Sequence, residues 1–242
     1  MTPSPEGHDV QPGLFAEPPH RLEHPRARVV LLCGPSGSGK TSLTRRLGLP
    51  VLQLDDFYRD ADDTSGPPMP RRFGIVDWDD PASWDADAAL RCLLRLCSGE
   101  TADVPVYDIS TSRRTGATRL DIGDSPLLLA EGIFAAFLVQ RCREANILAD
   151  AICLRLPPGV TFWRRLARDL AESRKPPLTL LRRGAALMRD EPRLLREWVA
   201  LGCRPMSPAV AEREIHTLRA RPHLPPPSPG EGGGWAGQER SA

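Results

Sequence analysis

One stretch, Arg28 to Leu47, constrains this chain more than any other. It opens with Arg28-Val29-Val30-Leu31-Leu32-Cys33, an apolar, β-branched run of the kind that forms a buried strand. Gly34-Pro35-Ser36-Gly37-Ser38-Gly39-Lys40-Thr41 follows and fits Gly-x-x-x-x-Gly-Lys-Ser/Thr at every fixed position. Thr41-Ser42-Leu43-Thr44-Arg45-Arg46-Leu47 then reads as a helix, with Gly48 and Pro50 as stop signals. Glycines let successive backbone N–H groups curl around phosphate oxygens, and the helix start adds its dipole. Lys40 is placed to reach β- and γ-phosphates, and the Thr41 hydroxyl to hold Mg²⁺. Gly34, Ser36, Gly37, Ser38, Gly39, Lys40, Thr41 and Ser42 are therefore candidate phosphate-binding residues.

The chain has 242 residues, enough for one α/β domain with a sizeable core. With 32 basic and 31 acidic residues, it has no global pull toward nucleic acid or membrane. Lys40 and Lys175 are its only lysines, so Lys40 stands out in an arginine-dominated chain. The cysteines Cys33, Cys92, Cys97, Cys142, Cys153 and Cys203 form no C-x-x-C pair. Cys33 and Cys153 lie in apolar runs and read as small buried hydrophobes. The polar, proline-rich start lacks the apolar core of a signal peptide, and no apolar run is long enough to span a bilayer. The expected location is cytoplasmic.

Residues 1–26 read as a disordered leader and 222–242 as a disordered tail, leaving one domain over 27–221. Val51-Leu52-Gln53-Leu54 reads as a second strand, running into Asp55-Asp56-Phe57-Tyr58. Residues 59–80 read as a long loop, a length that is usually functional. Asp85 to Cys97 has helical spacing, with Leu90, Leu93, Leu94 and Cys97 on one face. Val104–Tyr107 and Thr118–Asp121 suggest a hairpin turning around Arg113–Gly116. Leu127–Ala130 and Ala151–Arg155 complete the strands. Alternating strands and helices imply an α/β fold: a parallel sheet sandwiched by helices. Ligands then bind at the carboxyl ends of the strands, which gathers the glycine loop, Asp55/Asp56 and Glu131 on one rim.

Phosphoryl transfer needs more than the loop: metal ligands, a group that deprotonates the acceptor, and positive charge for the transition state. Asp55 or Asp56 can accept a hydroxyl proton or hold the metal through water; either can instead cap a turn. Glu131 ends an apolar strand and is a metal-ligand candidate. Arg164, Arg165 and Arg168 fall on one helical face and can close over a triphosphate.

These residues resemble the uridine/cytidine kinase family of phosphate-loop kinases over about residues 28 to 175. Leu54-Asp55-Asp56-Phe57-Tyr58-Arg59 is similar to the family's Asp-Ser-Phe-Tyr-Arg segment, which implies Asp55 as catalytic base beside Lys40. Asp77-Trp78-Asp79-Asp80-Pro81 resembles Asn-Phe-Asp-His-Pro, implying that Asp79 contacts the ribose. Pro105-Val106-Tyr107-Asp108 with Arg113-Arg114 resembles the base-binding hairpin and implies acceptor contacts from Tyr107 and Arg114. Ala130-Glu131-Gly132-Ile133 resembles Phe-Glu-Gly-Ile, implying that Glu131 serves the metal with Thr41. Arg164-Arg165-Leu166-Ala167-Arg168-Asp169 resembles the family's arginine lid helix, with Arg164 and Arg168 toward ATP and Arg165 toward the acceptor. The resemblance implies an ATP- and Mg²⁺-dependent kinase of a nucleoside-like small molecule, with an arginine-bearing lid on the phosphate-loop fold.

Two departures stand out. Ser112 occupies the place of a family histidine near the base, and no segment beyond the lid reads as the family's last strand. The Asp55-Asp56-Phe57 variant also resembles nicotinamide riboside kinases. A regulatory protein that binds a nucleotide without transfer is the rival from another class, and the acceptor-side residues argue against it.

Overall fold

The structure, a computed structural model, describes residues 20–35, 37–72, 74–156, 159 and 192–221. Its centre is a five-stranded parallel sheet. The strands are β1 (Arg28–Cys33), β2 (Val51–Gln53), β7 (Leu127–Glu131), β8 (Leu148–Leu154) and β9 (Arg204–Met206), in the spatial order β2-β7-β1-β8-β9. The short pairs β3 (Arg71–Arg72) with β4 (Ile75–Val76), and β5 (Ala102–Asp108) with β6 (Arg113–Leu120), are antiparallel and stand apart from the sheet.

β1 is apolar on both faces because both are covered. Val29, Leu31 and Cys33 join the core on one face, with α2 (Ala86–Ser98), α3 (Val139–Glu144) and Trp198 from the helical segment 192–200. Val30 and Leu32 face the other core, with α1 (Lys40–Leu47) and the last helix, Pro208–Ala220. α2 buries Ala89, Leu90, Leu93, Leu96 and Cys97. Its ends are set locally: the Asp85 side chain accepts from the Ala88 amide, and left-handed Gly99 closes the C-terminus. All six cysteines are buried free thiols.

Three expectations need correction. The hairpin is wider than Val104–Tyr107 with Thr118–Asp121, and its turn lies over 109–112; Arg113–Gly116 belongs to strand β6. A last strand exists, β9, parallel to β8 and anchored by a buried two-point ion pair from Arg204 to Asp150. Residues 22–26 of the expected leader are tied to the domain: Leu22 N–H donates to the Ala145 carbonyl and Arg26 N–H to that of Cys97. Residues 1–19 of the leader and the tail lie outside the described residues, as does the lid segment.

Candidate active site

The parallel order brings the carboxyl ends of β1, β7 and β2 side by side, in register Leu32↔Glu131 and Gln53↔Glu131. The glycine loop leaves β1, Glu131 ends β7, and a short 3₁₀ turn, Leu54–Phe57, leaves β2. Residues distant in sequence thus share one rim, where an open α/β sheet binds its ligands.

The loop is built to leave donors open. Helix α1 starts at Gly39 in the left-handed region, with no side chain capping it and no acidic residue in its first turn. Its first amides therefore lack the acceptors that a cap would supply. Ser38 is wholly buried, and its Oγ has no hydrogen-bond partner among the described residues. Lys40 Nζ folds back onto the loop, donating to the Gly34 carbonyl at 2.7 Å and the Pro35 carbonyl at 3.4 Å. Thr41 and Ser42 are exposed at the helix start. Ser36 lies outside the described residues.

Glu131 is buried at the rim, with only 5% of its surface exposed. No hydrogen bond or ion pair holds its carboxylate among the described residues. A carboxylate at the rim beside the phosphate loop fits a cation by its donor chemistry, and Mg²⁺ characteristically takes one or two carboxylates together with substrate phosphates and waters. Glu131, with the Thr41 hydroxyl, is the set that would hold it.

Asp55 keeps an open face to solvent, yet protein crowds it enough that lost hydration raises its pKa. The Lys40 charge and the neighbouring Ile133 N–H oppose that rise. The close fit depends on Gly132. A Cβ there would lie 2.8 Å from Leu54 Cβ and 2.9 Å from Asp55 Oδ1, so only glycine lets the turn settle on the end of β7. The Gly132 and Ile133 roles were missed in the sequence; the clue was a glycine directly after a buried strand that ends in an acid. Burial raises the pKa of the neighbouring Asp56 too, with the Tyr107 N–H opposing the rise.

The rim beyond Asp55 is aromatic. Tyr58 sits 5.6 Å from Trp78, 5.7 Å from Tyr107 and 5.8 Å from Phe134, centroid to centroid. The Tyr58 hydroxyl donates to the Trp78 carbonyl at 3.2 Å. Burial raises its pKa, with the charges of Asp55 and Asp79 adding to the effect. Asp79 is exposed at this edge. Tyr58, Trp78 and Phe134 were not singled out in the sequence, where they pass for core. Arg114 does not reach into this group: its guanidinium donates to the carbonyls of Tyr58 (3.0 Å) and Phe57 (3.3 Å) and pairs with Asp85 at 3.4 Å. Arg164, Arg165 and Arg168 lie outside the described residues.

A glycine loop between the first strand and first helix of a parallel sheet, with an acid ending the adjacent strand, defines the α/β phosphate-loop nucleoside-triphosphate-binding fold. Within that class, the chain belongs to the phosphoribulokinase/uridine kinase family, whose model matches residues 29–175. It is 34% identical over 162 residues to a uridine kinase of Schizosaccharomyces pombe, covering 64% of this chain and 33% of that protein. It is 32% identical over 168 residues to a uridine kinase of Deinococcus deserti, covering 65% of this chain and 76% of the other. The match thus spans about a third of the yeast protein's length. A solved structure of a candidate fructose transport system kinase from Silicibacter sp. TM1040 shares the fold, with a TM-score of 0.53 at 21% identity. It covers 72% of this chain and 87% of that one.

Proposed function

We propose that this chain is an ATP-dependent kinase of the primary, 5′-type hydroxyl of a nucleoside, uridine and cytidine foremost. The observation that carries the reading is the position of Asp55. It stands on the turn that leaves β2, against Gly132 at the end of β7, with the Lys40 charge acting on it from one side and the Tyr58 ring nearby on the other. It is the acid best placed to connect a bound triphosphate with a bound hydroxyl. Asp55 Oδ1 lies against Gly132 at the end of β7, beside Glu131, which favours Asp55 over Asp56 as the base.

In the proposed reaction Asp55 accepts the hydroxyl proton as the oxygen attacks the γ-phosphorus, and the bond to the bridging oxygen of ADP breaks. Lys40 leaves the Gly34 carbonyl for the phosphates and neutralises charge on the transferring group. Thr41 and Glu131 would hold Mg²⁺, which would supply neutralisation of phosphate charge. The lid role that the family resemblance gives Arg164, Arg165 and Arg168 would exclude water, the competing acceptor. Asp79 and Tyr107 hold the ribose and base, beside the face that Tyr58 and Trp78 provide. The relatives named uridine kinase support this acceptor class.

The test is ADP release with MgATP and a panel containing uridine, cytidine, purine nucleosides, nicotinamide riboside and 5′-deoxyuridine. The expected result is stimulation by pyrimidine ribonucleosides and none by 5′-deoxyuridine. Stimulation by nicotinamide riboside alone would move the acceptor to that class. ATP binding without stimulation by any nucleoside would leave a nucleotide-binding regulatory protein.

A further inference from the structure

Arg114 was expected among the acceptor contacts, yet its side chain is spent on the protein. Nε donates to the Tyr58 carbonyl at 3.0 Å, and Nη2 donates to the Phe57 carbonyl at 3.3 Å and to Asp85 Oδ2 at 3.4 Å. Its backbone N–H donates to Asp60 Oδ1 at 2.8 Å. One residue of the hairpin therefore holds both the end of the Leu54–Phe57 turn and the residues just after it. The guanidinium also lines a groove of about 400 Å³ between α2 and the hairpin, shared with Phe57, Arg91 and Arg95. Neither Asp55, Asp79 nor Tyr107 lines that groove.

The turn needs such a hold. It is a single 3₁₀ turn with no side-chain cap at its start. Two further backbone anchors come from one short segment: Trp84 Nε1 donates to the Leu54 carbonyl at 2.7 Å, and the Asp85 amide to the Phe57 carbonyl at 2.9 Å. Asp85 is itself fixed as the N-cap of α2. Arg114 thus locks the turn to the hairpin and, through Asp85, to the start of α2. A planar guanidinium suits the task because it serves several acceptors in fixed directions, which an ammonium cannot do.

We infer that Arg114 is a positioning residue for Asp55: it acts through the carbonyls of Phe57 and Tyr58 and touches neither substrate. The inference rests on Asp55 being the base of the proposed reaction. In Arg114→Ala the turn loses its fork, and kcat falls about tenfold to a hundredfold, as expected for a base displaced by a fraction of an ångström to about 1 Å. KM for the nucleoside and for ATP stays within about threefold.

The experiment measures kcat and both KM values for wild type, Arg114→Ala and Arg114→Lys, with guanidinium chloride added at millimolar concentration to Arg114→Ala. Hydrogen exchange over residues 54–60 is read in the same proteins. Support would be a kcat loss with KM retained, partial rescue by lysine or guanidinium, and faster exchange confined to the turn. A raised nucleoside KM with unchanged kcat would overturn the inference by making Arg114 a substrate contact; unchanged kinetics and exchange would also overturn it. If the alanine variant does not fold, Arg114→Lys decides by the same kcat and KM split. If wild type phosphorylates no nucleoside, the proposed function fails, while exchange over the turn still shows whether Arg114 holds it.

Discussion

Gly132→Ala is the sharpest probe of how the site is assembled. The added Cβ would lie 2.8 Å from Leu54 Cβ and 2.9 Å from Asp55 Oδ1. Ordinary van der Waals contact begins at 3.4 Å, so roughly half an ångström must be found on each side. Leu54 is wholly buried in the core and its side chain cannot yield cheaply, so the Leu54–Phe57 turn shifts away from Gly132 and carries the Asp55 carboxylate with it. A displacement of that size predicts a kcat loss of about tenfold to a hundredfold, or about 1.4–2.7 kcal/mol of barrier. Overpacking costs about 1–3 kcal/mol of stability as well. Steady-state kinetics at saturating MgATP and nucleoside, with ATP affinity by calorimetry, separates the effects: kcat falls and ATP affinity holds. Gly116→Ala, where a Cβ meets nothing within 4 Å, is the silent control. A Gly132→Ala protein with kcat within twofold of wild type would refute the claim that this contact sets the position of Asp55.

Asp55→Asn should keep ATP affinity and lose at least about 10²-fold in turnover, measured by calorimetry and ADP release; near-normal turnover would move the base to Asp56. The same carboxylate predicts the pH dependence. Its pKa is raised by lost hydration, against the pull of Lys40, and it must be ionised to accept a proton. kcat/KM therefore falls as pH drops, with a midpoint above the ordinary aspartate value of about 3.9, and Asp55→Asn removes that limb from the residual rate. Arg204→Ala strands the buried Asp150 carboxylate and should cost about 3–5 kcal/mol in urea unfolding, while Arg204→Met with Asp150→Leu recovers most of it.

The donor half of the site was legible because its signals are local. The strand, the glycines, the lysine and the helix follow one another in the chain, and the parallel-sheet rule alone carries Asp55 and Glu131 to the same rim. What escaped depends on contacts across the fold. β9 is three residues, Arg204, Pro205 and Met206, with a charge and a proline where a strand signal needs apolar alternation; it is a strand through its pairing with Ile152–Leu154 of β8, with the Arg204–Asp150 ion pair beside it. β6 runs through Arg113–Gly116 as an exposed strand with no apolar face, so composition placed the turn there instead. Gly132 matters because of Leu54 and Asp55, and Arg114 because of carbonyls, which no side-chain pattern announces. Tyr58, Trp78 and Phe134 become one group only when the turn, the loop after it and the end of β7 converge.

The most direct measurement is the identity of the product. Incubation with MgATP and uridine or cytidine, followed by ³¹P NMR and mass spectrometry, should give ADP and the nucleoside 5′-monophosphate in equal amounts, with none from Asp55→Asn beyond its residual rate. ADP formed together with inorganic phosphate alone, or a phosphate carried at another hydroxyl, would contradict the assignment of Asp55 as the base for a 5′-hydroxyl.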